Sequence, residues 1–357
     1  MAVGDIMLGD SPVCHGFGVN SKIKRYGPSY PFEHVADFLR EGDLVLGNLE
    51  VPVSRFDEDR DEFERVQFRG QPESLKGVAE SGVNIVSICT NHAMQHGRAA
   101  FEEMIDNLKS YDIAFVGTEI EEKGIENLYL IEKNGIKFAF LGYNFRPQQY
   151  YIDAPLWKTP TLDLIRRETD RYIKSVDCVV VSLHWGDEFI EYPSPEQVSI
   201  AHDLIDHGVK LIIGHHPHIV QGVESYRNGV IAYSLGNFVF DMWQDRLRET
   251  MILKCSIGKD GIENYNIIPV KINNSYQPEL LTGSDAERLS GWFDELSRKI
   301  TDDKNIESRY REELFRKTRE FRSEIKSFYL KHLFKYDRKR FFENFVSAMK
   351  KRLGRGK

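Results

Sequence analysis

The chain has 357 residues, 41% hydrophobic and 29% charged, a globular composition that excludes general disorder. No run approaches the ~20 apolar residues of a membrane-spanning helix, and Cys14, Cys89, Cys178 and Cys255 form no CxxC pair, which argues against a disulfide framework or a cysteine zinc site. The net charge of −7 hides a division: from Lys331 onward ten Lys/Arg face two acids, a balance of +8, leaving −15 on the remainder and excluding nucleic acid as its main ligand.

In chain order, Ala2–Leu8 predicts a first strand. Its apolar start reaches Gly4 and Asp5 at once, so it makes no signal peptide. The chain as written is expected in the cytosol or peripheral to the membrane, although a start codon set too late would hide an N-terminal anchor. A long loop, Asp10–Tyr30, leads to a helix over Phe32–Arg40 and a strand over Leu44–Leu49. A second long loop, Val51–Gly70, precedes a helix at Pro72–Ser81, a strand at Asn84–Ile88, a helix at Arg98–Ser110 and a strand at Ala114–Gly117. Long loops in compact domains are often functional.

Strands at Tyr129–Glu132 and Phe138–Tyr143 flank Asn134-Gly135, a strong hairpin signal. A helix over Leu162–Ser175 then precedes the strand Cys178–Leu183. Pro195–His207 places Val198, Ala201, Leu204 and Ile205 on one helical face, and Gly208 supplies the stop. Strands Leu211–Ile213 and Val230–Leu235 follow, with Asn228-Gly229 as a second turn signal. Strand–helix alternation mixed with hairpins predicts an α/β protein of layered sheets flanked by helices. The polar segment Asn273 to Gly283 suggests a boundary between a main domain, 1–272, and a charged helical extension, 284–357. At its end Phe341, Phe342, Phe345, Val346 and Met349 stand among Lys and Arg. That pattern fits an amphipathic helix on a membrane surface, a helix packed on the main domain, or a grip on an acidic polymer.

The chemistry-bearing residues collect at strand ends. Leu211–Ile213 runs through Gly214 into His215, His216, Pro217 and His218, and imidazole is the commonest neutral metal ligand. Pro217 is expected to leave His215 and His218 pointing together while His216 turns away. His184 follows Cys178–Leu183 in the same manner, Asn91 and His92 close another strand, and Glu50 and Asp5 end two more. Strand C-termini in layered α/β folds gather at one edge. Five such ends, each delivering Asp, Glu, Asn or His, point to one metal site lined by oxygen and nitrogen, suited to Mn²⁺, Zn²⁺ or Fe. His34, His202 and His207 fall on predicted helices away from those ends.

Six motifs carry a resemblance: Val3-Gly-Asp-Ile-Met-Leu-Gly9, Gly47-Asn-Leu-Glu50, Thr90-Asn-His92, His184-Trp-Gly-Asp-Glu188, Ile213-Gly-His-His-Pro-His218 and Tyr233-Ser-Leu-Gly-Asn-Phe238. In this order, over roughly residues 2–241, the chain resembles the CapA family of bacterial capsule and poly-γ-glutamate synthesis proteins, related to calcineurin-like metallophosphoesterases. The resemblance implies a four-layer αββα sandwich with a metal centre at the sheet edge. It implies Glu50 as the carboxylate between two metals, Asp5 and His218 on one, and Asn91, His184 and His215 on the other. It gives His92 the part of proton donor, beside Asn91 and His184. The remaining polar motif residues, Asn48, Trp185, Glu188, His216 and Asn237, are the candidates for substrate contact, Asn237 with an architectural part as well.

Three departures bear on this pattern. Wider phosphoesterases have Asp-x-His in the first motif, where Met7 stands here, and a thioether is a poor ligand for a hard metal. One metal position is therefore expected to be complete and the Asp5–His218 position short of a ligand. Asp10 occupies a position where CapA-like chains usually have Arg, and Gln95, followed by His96, one where they often have Asp. The leading functional expectation is a metal-dependent hydrolase of a phosphoester or amide in a surface polymer. A non-catalytic accessory subunit of a membrane-bound synthase or exporter is the second. The third is proton transfer at a peptide α-carbon, as in epimerisation.

Overall fold

Short β-branched runs alternating with helices fold into two stacked sheets in the computed structural model, which describes residues 1–56, 67–147, 153–302 and 306–332. The strands are β1 (Ala2–Ile6), β2 (Leu46–Leu49), β3 (Ile85–Ser87), β4 (Ala114–Val116), β5 (Tyr129–Lys133), β6 (Ile136–Asn144) and β7 (Cys178–His184). They continue with β8 (Leu211–His215), β9 (Val223–Tyr226), β10 (Gly229–Ala232), β11 (Asn237–Val239), β12 (Glu249–Gly258), β13 (Gly261–Ile272) and β14 (Pro278–Leu280). The first sheet has the order β14-β13-β12-β1-β2-β3-β4, with β11 paired to β1; the second is β5-β6-β7-β8-β10-β9. Its middle strands β6, β7, β8 and β10 are parallel, so their C-terminal ends share one edge, as do those of β1 to β4.

Three apolar cores define four layers. Leu46, Ile85, Phe140, Val180 and Ile213 interdigitate between the sheets. On the outer face of the first sheet, Val86 and Val3 meet Leu75 and Val78 of the helix Ser74–Ser81 and Phe101, Met104 and Ile105 of the helix Gly97–Ser110. On the outer face of the second, Val179, Val181 and Ile212 meet Ile165, Ala201, Leu204 and Ile205 of the helices Leu162–Asp170 and Pro195–His207. The arrangement is the expected αββα sandwich. Helix Pro195–His207 has the predicted bounds because Ser194 and Gln197 form a capping box and Gly208 takes the left-handed stop (φ 118°).

Several elements differ from the sequence reading. The loop Asp10–Tyr30 contains a helix, Val19–Tyr26, whose first turn is held from outside: Asp10 accepts hydrogen bonds from the Ser21 amide (3.0 Å) and hydroxyl (2.6 Å). The helix expected over Phe32–Arg40 breaks into a 3₁₀ turn at Tyr30–Phe32 and one α-turn at Ala36–Leu39, because Val35 leaves helical geometry (φ −126°). Helix Leu162–Asp170 stops five residues before the expected Ser175, the chain continuing in turns. The second hairpin turns at Arg227 and Asn228, so Gly229 already pairs with Tyr226. Four strands, β11 to β14, follow Leu235 where none was expected, and β14 lies inside the polar segment Asn273 to Gly283.

The helix Gly283–Asp302 packs Leu289, Phe293 and Leu296 into the core between the sheets. The more polar helix Ile306–Lys331 lies against loops at the site edge. Tyr310 donates to Asp187, Glu313 accepts from the Glu191 amide at 3.3 Å, and Phe328 packs on Trp243 with ring centroids 4.1 Å apart. Among the described residues no helix is long and apolar enough to cross a membrane. The tail aromatics from Phe341 to Met349 lie outside the described residues.

Candidate metal centre

The C-terminal ends of both sheets converge. Asp5 lies in β1, Glu50 follows β2, Asn91 and His92 follow β3, and His184 and His215 close β7 and β8 in register with each other. Asp5, Glu50, His184 and His215 are at most 1% exposed, and Asn91, His92, His216 and His218 at most 5%. The sheets meet where His184 Nε2 stands 3.7 Å from Glu50 Oε1 and 2.9 Å from Asn91 Oδ1. Asn48, expected to touch substrate, has no exposed surface. Its amide donates to Asp5 Oδ1 (2.9 Å) and Glu50 Oε2 (2.7 Å), tying the two carboxylates together.

His216 overturns one expectation. It does not turn away: its ring lies 4.8 Å from that of His184 and 5.9 Å from that of His218. Left-handed backbone at His216 (φ 94°) and His218 (φ 57°), on either side of Pro217, swings both rings inward. His215 and His218 do point together, onto Asp5: His215 Nδ1 lies 3.3 Å from Oδ1 and His218 Nδ1 3.0 Å from Oδ2. Gly214 makes this strand end possible, because a Cβ there would stand 1.9 Å from the Tyr233 carbonyl oxygen. That oxygen accepts the Trp185 indole N–H at 2.9 Å, which makes Trp185 a buried core residue stacked on Tyr233.

The donor set fits a divalent transition-metal ion. Glu50 Oε1, His184 Nδ1 and both nitrogens of His216 are buried without a hydrogen-bond partner. Unpaired buried polar atoms are costly and rare. Glu50, His184 and His216 each bring a ligand atom within 4.8 Å of the others, and Glu188, His216 and His218 form a second such group. Carboxylate with imidazole suits borderline metals. Neither His216 nor Glu188 was among the metal ligands expected from sequence. Residues one apart share a face only while the strand continues, and beyond His215 the left-handed backbone at His216 and His218 sets where each ring points.

Electrostatics follow from burial. Burial, then the Asp5 charge, pushes the Glu50 carboxyl well above the usual range. Burial alone would raise Asp5 too, but His215 and His218 hold it low. His184 and His216 are pushed well below the ordinary imidazole value, chiefly by burial. Burial would lower His218 as well, yet the Asp5 carboxylate 3.0 Å away holds it up at about 9. His92 is lowered to about 4 by burial, against the opposing hydrogen bond to Gln95. Its Nδ1 meets Gln95 Oε1 at 2.8 Å and its ring packs on Phe68 at 4.4 Å, so Gln95 orients the ring. Burial thus keeps His92 as the neutral imidazole near pH 7.

The other departures are structural. Met7 is fully buried with Val51 and Phe240 in an apolar cluster. Asn237 orients His218, its Oδ1 3.0 Å from Nδ1 and its amide donating to the His218 carbonyl at 3.2 Å. His202 and His207 pair with Glu224 and Asp170, both at 2.9 Å, away from the cluster.

The family model described as "Bacterial capsule synthesis protein PGA_cap" matches residues 1–242. The chain belongs to that family. The capsule biosynthesis protein CapA of Bacillus anthracis is 29% identical over 298 residues, covering 80% of this chain and 70% of its own. The PGA biosynthesis protein CapA of Bacillus subtilis (strain 168) is 27% identical over 281 residues, covering 76% and 71%. A probable polyglutamine synthesis accessory protein of Mycobacterium tuberculosis is 21% identical over 282 residues, covering 72% and 73%. A phosphatase from Mycoplasma pneumoniae aligns with 76% of this chain and 92% of its own, at a TM-score of 0.46 and 12% identity.

Proposed function

We propose that this PGA_cap protein is a metal-dependent hydrolase-like enzyme, acting on a phosphoester or amide bond in the synthesis or tailoring of a capsular or polyglutamate-type surface polymer. The observation that carries this reading is the buried Glu50–His184–His216 group, whose ligand atoms converge without hydrogen-bond partners. The names of the Bacillus relatives supply the polymer class. Glu50, His184 and His216 would hold Mn²⁺, Zn²⁺ or Fe²⁺, with the Asn91 amide oxygen beside them. The chemistry such an ion supplies is Lewis acidity and a better water nucleophile near neutral pH. Asn48 keeps the two carboxylates in place, and His92, held by Gln95, exchanges a proton with the reacting group at Nε2. Beyond Trp185 a cavity of about 410 Å³ lined by Arg146, Asp187, Ser194 and Tyr310 has room for a polymer unit.

Elemental analysis of the protein as isolated, and of His184→Ala, tests this. The expected result is at least one transition metal per wild-type chain, lost in the variant, with metal-dependent hydrolysis of a phosphoester or polyglutamate. A metal-free wild type that metal addition leaves inactive overturns it.

A second reading, an accessory subunit binding a polymer or a membrane-bound synthase, is favoured by Met7 and by the neutral state of His92. Retention of a synthase by the doubly substituted His216→Ala, His218→Ala protein would select it. The basic tail, whose residues 333–357 lie outside the described residues, would bring the protein to an anionic membrane surface. Unchanged liposome pelleting after removal of Lys331–Lys357 refutes that role.

A further inference from the structure

We infer that Glu188 and His218, with Asp5, build a second cation position beside the Glu50–His184–His216 group, Glu188 taking the place of the histidine that the first motif lacks at Met7. This inference rests on the metal-dependent reading above. Met7 is fully buried among Val51 and Phe240, so its side chain belongs to an apolar cluster. Another carboxylate, Glu188, follows β7 of the other sheet. Glu188, His216 and His218 each offer a ligand atom within 4.8 Å of the others.

The backbone is arranged to place Glu188 there. Gly186 after β7 is left-handed (φ 77°), a Cβ there would meet the Gln197 amide at 2.8 Å, and Phe189 is left-handed as well (φ 68°). These two reversals turn the loop back toward β8. The Phe189 amide then donates to the Pro217 carbonyl at 2.7 Å, linking the loop that carries Glu188 to the one that carries His216 and His218. The Phe189 ring lies 6.2 Å from that of His218. A left-handed Phe is uncommon enough to mark a constrained site.

The ligands can be shared between two ions. His216 is common to both groups, and both its nitrogens are buried without hydrogen bonds. A neutral imidazole has one lone pair, so His216 serves one ion. His218 Nδ1 is engaged by Asn237 Oδ1 at 3.0 Å, which leaves Nε2 for metal. Asp5 Oδ2 lies 3.0 Å from that Nδ1 but is buried without an aligned hydrogen bond, so it can turn to a cation. Two carboxylates and an imidazole make a borderline-metal site. Glu188 is partly exposed where Glu50 is fully buried, so the second ion is the more accessible and the weaker of the two.

The test titrates the metal-stripped full-length protein with Mn²⁺, reading stoichiometry by calorimetry and the electron paramagnetic resonance of the loaded protein. Wild type is expected to take two Mn²⁺ and show an exchange-coupled signal. Glu188→Gln, which keeps shape but loses charge, is expected to take one and show the signal of an isolated ion, with unchanged thermal unfolding of the metal-free form. Glu188→His is expected to recover the second ion. Two coupled ions in Glu188→Gln overturn the inference. A wild type that takes one ion overturns it too while leaving the hydrolase reading standing, and a wild type that takes none overturns both.

Discussion

Gly214→Ala probes with one methyl group how the fold aims its metal ligands. The new Cβ would stand 1.9 Å from the Tyr233 oxygen, 2.6 Å from the Tyr233 carbonyl carbon and 2.6 Å from Trp185 Nε1. Two of these atoms are backbone, so relief requires a shift of about 1 Å or more between β8 and the chain leaving β10. Such a shift breaks the buried Trp185–Tyr233 hydrogen bond, costing about 1–3 kcal/mol, and adds about 1–3 kcal/mol of packing strain. The expected total is about 2–6 kcal/mol, a fall in Tm on the order of 10 °C. His215 and His216 follow directly, so Mn²⁺ affinity should fall about 10–100-fold, as for loss of a supporting contact. Gly135→Ala is the control: it is left-handed (φ 77°) with nothing within 4 Å of its Cβ, so only about 1–2 kcal/mol of backbone strain applies and metal affinity stays put. Denaturant unfolding and calorimetry of both variants decide the matter. If Gly214→Ala unfolds and binds Mn²⁺ like wild type, the close approach does not aim the ligands.

Removing metal with a chelator should lower Tm, and restoring Mn²⁺ at about 100 times its Kd should return about 2.7 kcal/mol in wild type but not in His184→Ala; differential scanning calorimetry measures both. Gln95→Asp should raise His92 from about 4 toward neutrality by placing a carboxylate on Nδ1. The His92 ring resonance, followed against pH by nuclear magnetic resonance, would show no shift in titration if Gln95 were not its partner. Asp241 is held up at about 7, first by burial and then by the Asp10 charge. A raised carboxyl contributes stability that is full below pH ~4 and lost as pH rises through about 7. Asp241→Asn should therefore be more stable than wild type at pH 8, by a few kcal/mol at most, and close to it at pH 4. The same difference in urea midpoint between the two proteins at pH 4 and pH 8 would contradict this.

Much of the site was legible in the sequence because parallel strands in an αββα sandwich bring their C-terminal ends to one edge. Asp5, Glu50, Asn91, His184 and His218 could be assigned to that edge from apolar runs that each stop on a polar residue. The strand period also marked β6, β7 and β8, whose buried runs need no partner to be recognised. Strands β12 and β13 were missed because their residues, half-exposed along much of their length, become a sheet only by pairing with each other and with β1.

Chain order alone set the family, the residue types and the edge at which they gather. Tertiary structure alone decided that His216 faces inward with its neighbours. In extended backbone His216 and His218 would share a face opposite His215, and with Pro217 between them sequence spacing favoured His215 with His218. Left-handed backbone at both residues brings His216 to the site beside His218, while His215 and His218 meet on the Asp5 carboxylate as the spacing suggested. The same holds for Glu188, which lies four residues past the end of its strand. Its place depends on two backbone reversals and a hydrogen bond to Pro217, contacts between segments that the linear order leaves apart.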